Sequence, residues 1–301
     1  MSKRARAHLL LMAAAFIWGS AFVAQKEGMT YLGPFTFNGV RMCLGGAVLI
    51  PVIFALRKKE SISPGAGQKI PGTGFDMSLA GGFCCGVVLF LSSNLQQVGL
   101  VYTTAGKAGF ITALYIVIVP IFGYLLKKHV SGKVWLCVCI AIIGLYLLCV
   151  PESQAINRGD VIMLFSAFGF ACHIITIDYF SPKCDPLKIA CIQFFVCGIL
   201  CIPMIVVESP TLQALLLSWL PLLYAGAMSC GVAFTFQVVA QRDTSPVIAA
   251  LILSFESVFA VLMGFALLSE ILTIKEVIGC VLMFAAIVAA QTPEKQKGGI
   301  N

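Results

Sequence analysis

Residues 247–268 read VIAALILSFESVFAVLMGFALL, an apolar run whose one charged residue, Glu256, stands near its middle. A helix needs roughly 20 mostly apolar residues to cross about 30 Å of hydrocarbon, and this stretch supplies them. The carboxylate is costly there, at least about 2.5–3.5 kcal/mol on insertion scales. Such groups normally face a cavity or a partner rather than lipid.

The rest of the chain has the same character. Of its 301 residues, 59% are hydrophobic and 11% charged. Soluble domains run at about 45–50% apolar and about 25% charged. The fold class read from this is an all-α integral membrane protein with lipid as its surroundings. Ten candidate transmembrane helices are found, at 8–25, 34–56, 77–99, 103–126, 132–150, 159–178, 186–206, 212–237, 244–268 and 273–291. The longest polar stretch, RKKESISPGAGQKIPGTG (57–74), reads as a flexible loop. The first apolar run follows a basic SKRAR start. A cut after Ala24 would put Phe22 at −3, where small residues are required, so the run reads as a retained span.

Thirteen cysteines lie almost wholly within spans, with no CxxC pair and only three histidines. They read as small apolar residues at helix contacts, with no metal expected. No GxxxxGK[ST] loop is present, so no nucleotide or other cofactor is implied. The formal charge of +7 reads as topology and lipid contact, not nucleic-acid binding. Lys3, Arg4 and Arg6 precede the first span. Arg57, Lys58, Lys59 and Lys69 follow the second; Lys127, Lys128 and Lys133 the fourth. Lys183 and Lys188 follow the sixth, Arg242 the eighth, Lys295 and Lys297 the tenth. The opposite loops hold Lys26, Arg158 and Lys275. Positive loops stay inside, which predicts a multi-pass protein of the cell membrane with both termini cytoplasmic.

The chain repeats weakly. Pro34 and Pro186 open GPFTFNGVRMCLGG and DPLKIACIQFFVCG, and at the same offset Arg41 matches Gln193. VYTTAGKAGFITALYIVIV matches RDTSPVIAALILSFESVFA, pairing Thr103-Thr104 with Thr244-Ser245 and Tyr115 with Glu256. The domains are 8–150 and 158–292, five spans each. An odd number turns the second unit upside down, giving two inverted five-helix repeats. In that architecture substrate binds near the midplane, where the repeats meet.

WGSAF (18–22), VRMCLGGAVLIP (40–51) and SFESVFAVLMGFALLSEILTIKEVIGCVLMFAAIVAA (254–290) resemble the drug/metabolite transporter superfamily, EamA type. The resemblance covers nearly the whole chain. It departs after Glu256, where the family often has proline and this chain has Ser257, and at the end of the first domain, TALYIVIVPIFGYLLKKHV, which carries Pro120 but basic residues where the second domain has Ser269 and Glu270. The resemblance implies a ten-helix bundle that moves a small organic solute (a metabolite, amino acid or drug-like compound) by alternating access.

Glu256 reads either as a pathway carboxylate or as half of a structural ion pair with Lys107, which lies one turn into the fourth span. Lys107 could also neutralise an anionic substrate or snorkel to the interface. Arg41, in the second span, reads as a packing arginine. His173 is a candidate proton switch or a histidine bonded to a neighbour. Asn94 is the leading cavity candidate of the SSNLQQVG cluster, and Gln193 and Gln237 add amides in the second half; each could instead join helices. Trp18, Phe110 and Tyr115 are candidate wall aromatics, against an ordinary packing role. Tyr115 gains weight as the repeat counterpart of Glu256. An integral-membrane enzyme is the competing class, but GxSxG and HExxH motifs are absent. A channel or non-transporting membrane scaffold is the third. The partners expected are a small-molecule substrate and membrane lipid, with the chain a monomer or homodimer.

Overall fold

The computed structural model describes residues 2–62, 75–103, 105–127, 130–149, 157–268 and 273–291. Most of the predicted 57–74 loop lies outside the described residues, as do Thr104, Lys128, Ser269, Glu270, Lys295 and Lys297.

The described residues are helical, with no strand among them. In chain order the helical segments are α1 (Lys3–Gly28), α2 (Pro34–Ile62), α3 (Phe75–Tyr102) and α4 (Ala105–Leu125), then α5 (Gly132–Cys149), α6 (Arg158–Phe180) and α7 (Pro186–Glu208). A short helix, Leu212–Leu217, leads into α8 (Trp219–Ala240). Next comes α9, in two pieces (Pro246–Leu253 and Glu256–Leu268), and then α10 (Ile274–Gln291). Eight helices are long and apolar enough to cross a membrane, and Gly132–Leu147 is a shorter apolar helix. The protein is an all-α, multi-pass membrane protein.

Polar side chains start these helices where the sequence provides them. Asn157 and Asp160 form a capping box on α6, with each side chain accepting from the other's backbone N–H. Asp185 caps α7 and Ser245 caps α9, both just before a proline at the first helical position. Glu208, at the end of α7, accepts from the backbone N–H of Phe35 (3.0 Å) and Thr36 (2.6 Å) at the start of α2. An anion there meets the positive end of the helix dipole.

The outside of the bundle is apolar. Phe83, Leu91, Ile199 and Phe284 are all more than half exposed. An exposed apolar surface of this kind is a lipid contact. Inside, helices approach closely at small residues. A Cβ on Gly19 would lie 2.5 Å from the carbonyl oxygen of Glu256 and 2.8 Å from the amide nitrogen of Ala260. Backbone atoms cannot swing away, so α1 and α9 would have to separate. Gly19→Ala should therefore cost about 1–3 kcal/mol, the usual range for overpacking. Thermal unfolding in detergent would read this, and an unchanged midpoint would contradict the packing described.

Two helices are interrupted in mid-course. In α4 the break is at Leu114, where the Leu114 N–H bonds the carbonyl of Ile111 and the Val117 N–H that of Leu114, each three residues back. In α9 it is at Ser254–Phe255, where the Phe255 N–H bonds Ile252 and the Ser257 N–H bonds Ser254. The family's proline after Glu256 is absent here, yet the helix still breaks. Ser257 instead donates its hydroxyl to the Gly109 carbonyl on α4 at 3.0 Å, tying the two broken helices together.

Candidate functional site

The second pieces of α4 and α9 begin at Tyr115 and Glu256. Both side chains are buried, and the Tyr115 hydroxyl donates to Glu256 Oε1 at 3.2 Å. Glu256 lies in the first turn of its helical piece, where the helix dipole favours an anion. The two residues line a cavity of about 40 Å³ at the centre of the bundle. One water needs about 10–15 Å³ measured this way, so the space suits a few waters and is too small for an organic solute in this state.

Aromatic rings make much of the wall. Trp18 packs on Phe234 at 4.6 Å between centroids, and its indole N–H donates to the Ser229 carbonyl at 3.2 Å. Ser229 belongs to a π-helical stretch of α8, Tyr224–Phe234. Such wide turns recur at functional sites. Phe22 and Phe170 complete the apolar side. The polar side carries Gln25, Gln96 and Thr112, with the Gln96 amide donating to the Thr112 hydroxyl at 3.2 Å. Gln25 Oε1 is buried and accepts no hydrogen bond from the described residues.

Arg41 also lines this cavity, 2% exposed. Its Nε donates to Asn38 Oδ1, one turn earlier on α2, at 3.0 Å. Arg41 and Glu256 thus share one cavity, and no ion pair within 4 Å joins them. Sequence reading assigned Arg41 to helix packing. Its Nε does serve its own helix, but the residue also belongs to the cavity wall.

The other candidates separate. Lys107 pairs with Asp160, Nζ to Oδ2 at 2.6 Å, and not with Glu256. Depth alone had matched Lys107 to Glu256, but the start of α6 brings a carboxylate to the lysine's own level. Asn94 does not line the cavity. Its amide donates to the Phe90 carbonyl at 2.8 Å and contacts Cys201 Sγ on α7 at 3.4 Å. Gln96, two residues on, is the member of that cluster in the wall. His173 sits behind the wall, bonded to Gln193 Oε1 at 3.0 Å and edge-on to Phe234 at 5.9 Å. Gln237, one turn past Phe234 on α8, is buried outside the cavity lining. Phe110 packs in the apolar core near Leu114.

Two ends of the bundle frame the cavity. At the end away from the chain termini, Asp160 also accepts from the Thr103 hydroxyl at 2.9 Å, and Lys26 Nζ donates to the Thr103 carbonyl at 2.7 Å. At the terminal end lies a polar hollow of about 520 Å³, bordered by Arg4, His8, Asp178, Asp243 and Thr244. A neighbouring hollow of about 390 Å³ shares Asp178, Ser245 and Ile248 with it. Here Thr244 Oγ1 and His8 Nε2 are 3.4 Å apart.

Interrupted helices meeting at a buried polar centre define a membrane-transport architecture. Residues 5–150 and, separately, 157–290 match the EamA-like transporter family, to which this chain belongs. A curated relative from Archaeoglobus fulgidus, named an uncharacterized transporter, is 34% identical over 95% of this chain and 86% of its own length. The uncharacterized transporter YoaV of Bacillus subtilis is 25% identical over 92% of this chain and 94% of its own. A crystal structure with 14% identity superposes with a TM-score of 0.77, covering 96% of this chain and 97% of that one, and shares the fold.

Proposed function

We propose that the chain is a secondary transporter of a small organic solute, working by alternating access around the cavity at Glu256. The observation that carries this is the Tyr115–Glu256 hydrogen bond. These residues hold the same position in the two halves of the sequence, and each starts the second piece of a broken helix. They meet across the centre, as substrate-site residues do at the interface of inverted repeats.

The helix packing supports the two-repeat reading. Adding five to each label of the first half exchanges the neighbours: α3 packs on α6 and α7, and α8 packs on α1 and α2. Likewise α4 packs on α6, and α9 on α1. The family match in two blocks supports it too. In this reading all ten helical segments are spans. The basic loops lie at the terminal end, which supports cytoplasmic termini in a cell-membrane protein.

The repeat also suggests the gates. Thr103 corresponds to Thr244, and at the offset of Pro34 and Pro186, Asp160 corresponds to His8. Thr103–Asp160, reinforced by Lys107, seals the outer end. Thr244–His8 is its longer counterpart beside an open hollow on the inner side. Transport would open the first contact as the second closes.

Reconstituted vesicles loaded with unlabelled solute should accumulate the labelled solute by counterflow, saturably, for one chemical class within a panel of amino acids, nucleosides, sugars and organic amines. Unsaturable leak, or no exchange of any member, would return the chain to the channel or scaffold class.

A further inference from the structure

The two ends of the bundle differ in their titratable groups. In the alignment of the halves Thr103 corresponds to Thr244, Asp160 to His8 and Lys107 to Ile248. The outer contact sets a carboxylate against an ammonium. At the inner end the matching positions carry an imidazole and an isoleucine, so they bear charge only when His8 is protonated. The groups bordering the inner hollow are sorted by depth. Arg4, Arg242 and Asp243 are exposed at its rim, whereas His8, Thr244 and Asp178 are half-buried. Gln241, on the same hollow, is 1% exposed. Its amide donates to the Ile174 carbonyl at 2.9 Å, and its Oε1 accepts no hydrogen bond from the described residues. Ile248 from α9 and Ala290 from α10 border the hollow without charge.

Closing this hollow would drive water from its floor while the rim groups stay wet. A carboxylate or amide oxygen left dry without a donor is strongly unfavourable. Neutral imidazole offers one N–H and imidazolium two. With His8 neutral, the floor carries the carboxylate of Asp178 and the orphaned oxygen of Gln241, with a single imidazole donor between them. With His8 protonated, the charges balance and both acceptors can be met. From this we infer that His8 is a proton site governing the inner gate: uptake of a proton closes the inner end over Asp178 and Gln241, and its loss favours the open hollow. His8 lies on the inner side of the Glu256 cavity, so the proton enters and leaves from that side. It sets how often the inner end opens and does not travel with the solute. The inference rests on the alternating access proposed above.

Nitroxide labels carried on p-acetylphenylalanine in place of Arg6 and Lys183 would report the width of the inner end without touching the native cysteines. Both residues are exposed, each lies next to residues that border the hollow, and neither borders it itself. The full chain in lipid nanodiscs would be measured by pulsed electron spin resonance at about pH 8 and about pH 5.5, a span in which histidine titrates and carboxylates ordinarily do not. The ratio of short to long separations is expected to rise about tenfold on acidification, the weight of one charge-assisted hydrogen bond. His8→Gln and Asp178→Asn should each flatten that response. A parent whose separations ignore pH, or lengthen in acid, overturns the inference, and that arm needs neither variant to fold. A response that survives either variant places the proton or its partner elsewhere and overturns it as well. Where the labelled protein still gives saturable counterflow, such a failure removes only the role of His8. One fixed separation together with no counterflow removes alternating access too.

Discussion

Glu256→Gln is expected to lower solute counterflow by about one to two orders of magnitude while the protein stays folded. A hydrogen bond to a charged group is worth about 1.5–3 kcal/mol, and each 1.4 kcal/mol is tenfold. Glutamine keeps a carbonyl oxygen for the Tyr115 hydroxyl, so the link between the broken helices survives and only the ionisable oxygen is lost. Removing a buried ionisable group should leave the unfolding temperature unchanged or raise it, because functional sites carry groups that stability alone would not choose. Rates in vesicles and unfolding midpoints, measured side by side, test this. An unchanged rate would make Glu256 a packing element. A lost rate with an unfolded protein would make it structural.

The second large effect is at Lys107 and Asp160. Breaking a buried ion pair by removing one partner costs about 3–5 kcal/mol, since the other charge is left uncompensated. The pair is 6–9% exposed and lies toward one end of the bundle, so about 2 kcal/mol is a fairer figure. Asp160→Asn should therefore shift the outer seal toward its open form about 30-fold. Hydrogen exchange at the end of α3 and the start of α4 would accelerate to match. The double change Lys107→Met with Asp160→Asn removes both charges, keeps an acceptor for the Thr103 hydroxyl and should restore slow exchange. Fast exchange in the double variant, or slow exchange in Asp160→Asn, would show that the pair does not hold this end shut.

Much of this was readable from residues alone. Apolar run length places α4 at 103–126 and α9 at 244–268, close to Ala105–Leu125 and to Pro246 through Leu268 in the structure. Hydrocarbon thickness leaves little freedom there. The alignment of the halves paired Tyr115 with Glu256, and the two side chains do touch. What run length cannot give is rotation about the helix axis. Asn94 and Gln96 differ by two residues, about 200° around the helix, and only Gln96 reaches the cavity. A span that is apolar on every face does not say which side looks inward, so Arg41 and Gln25 were missed as wall residues. The helix breaks were missed for a different reason. Neither Leu114 nor Ser254–Phe255 carries a glycine or proline, and the freed backbone groups are met by bonds three residues back and by neighbouring helices.

The central claim is that solute is held where the two broken helices meet. The most direct measurement is a structure of the full chain at saturating concentration of whichever solute gives counterflow. The account predicts density in an enlarged cavity between Trp18 and Glu256, within hydrogen-bond reach of the carboxylate. Density confined to the hollow beside His8 and Asp178, with the cavity at Glu256 unchanged, would contradict it.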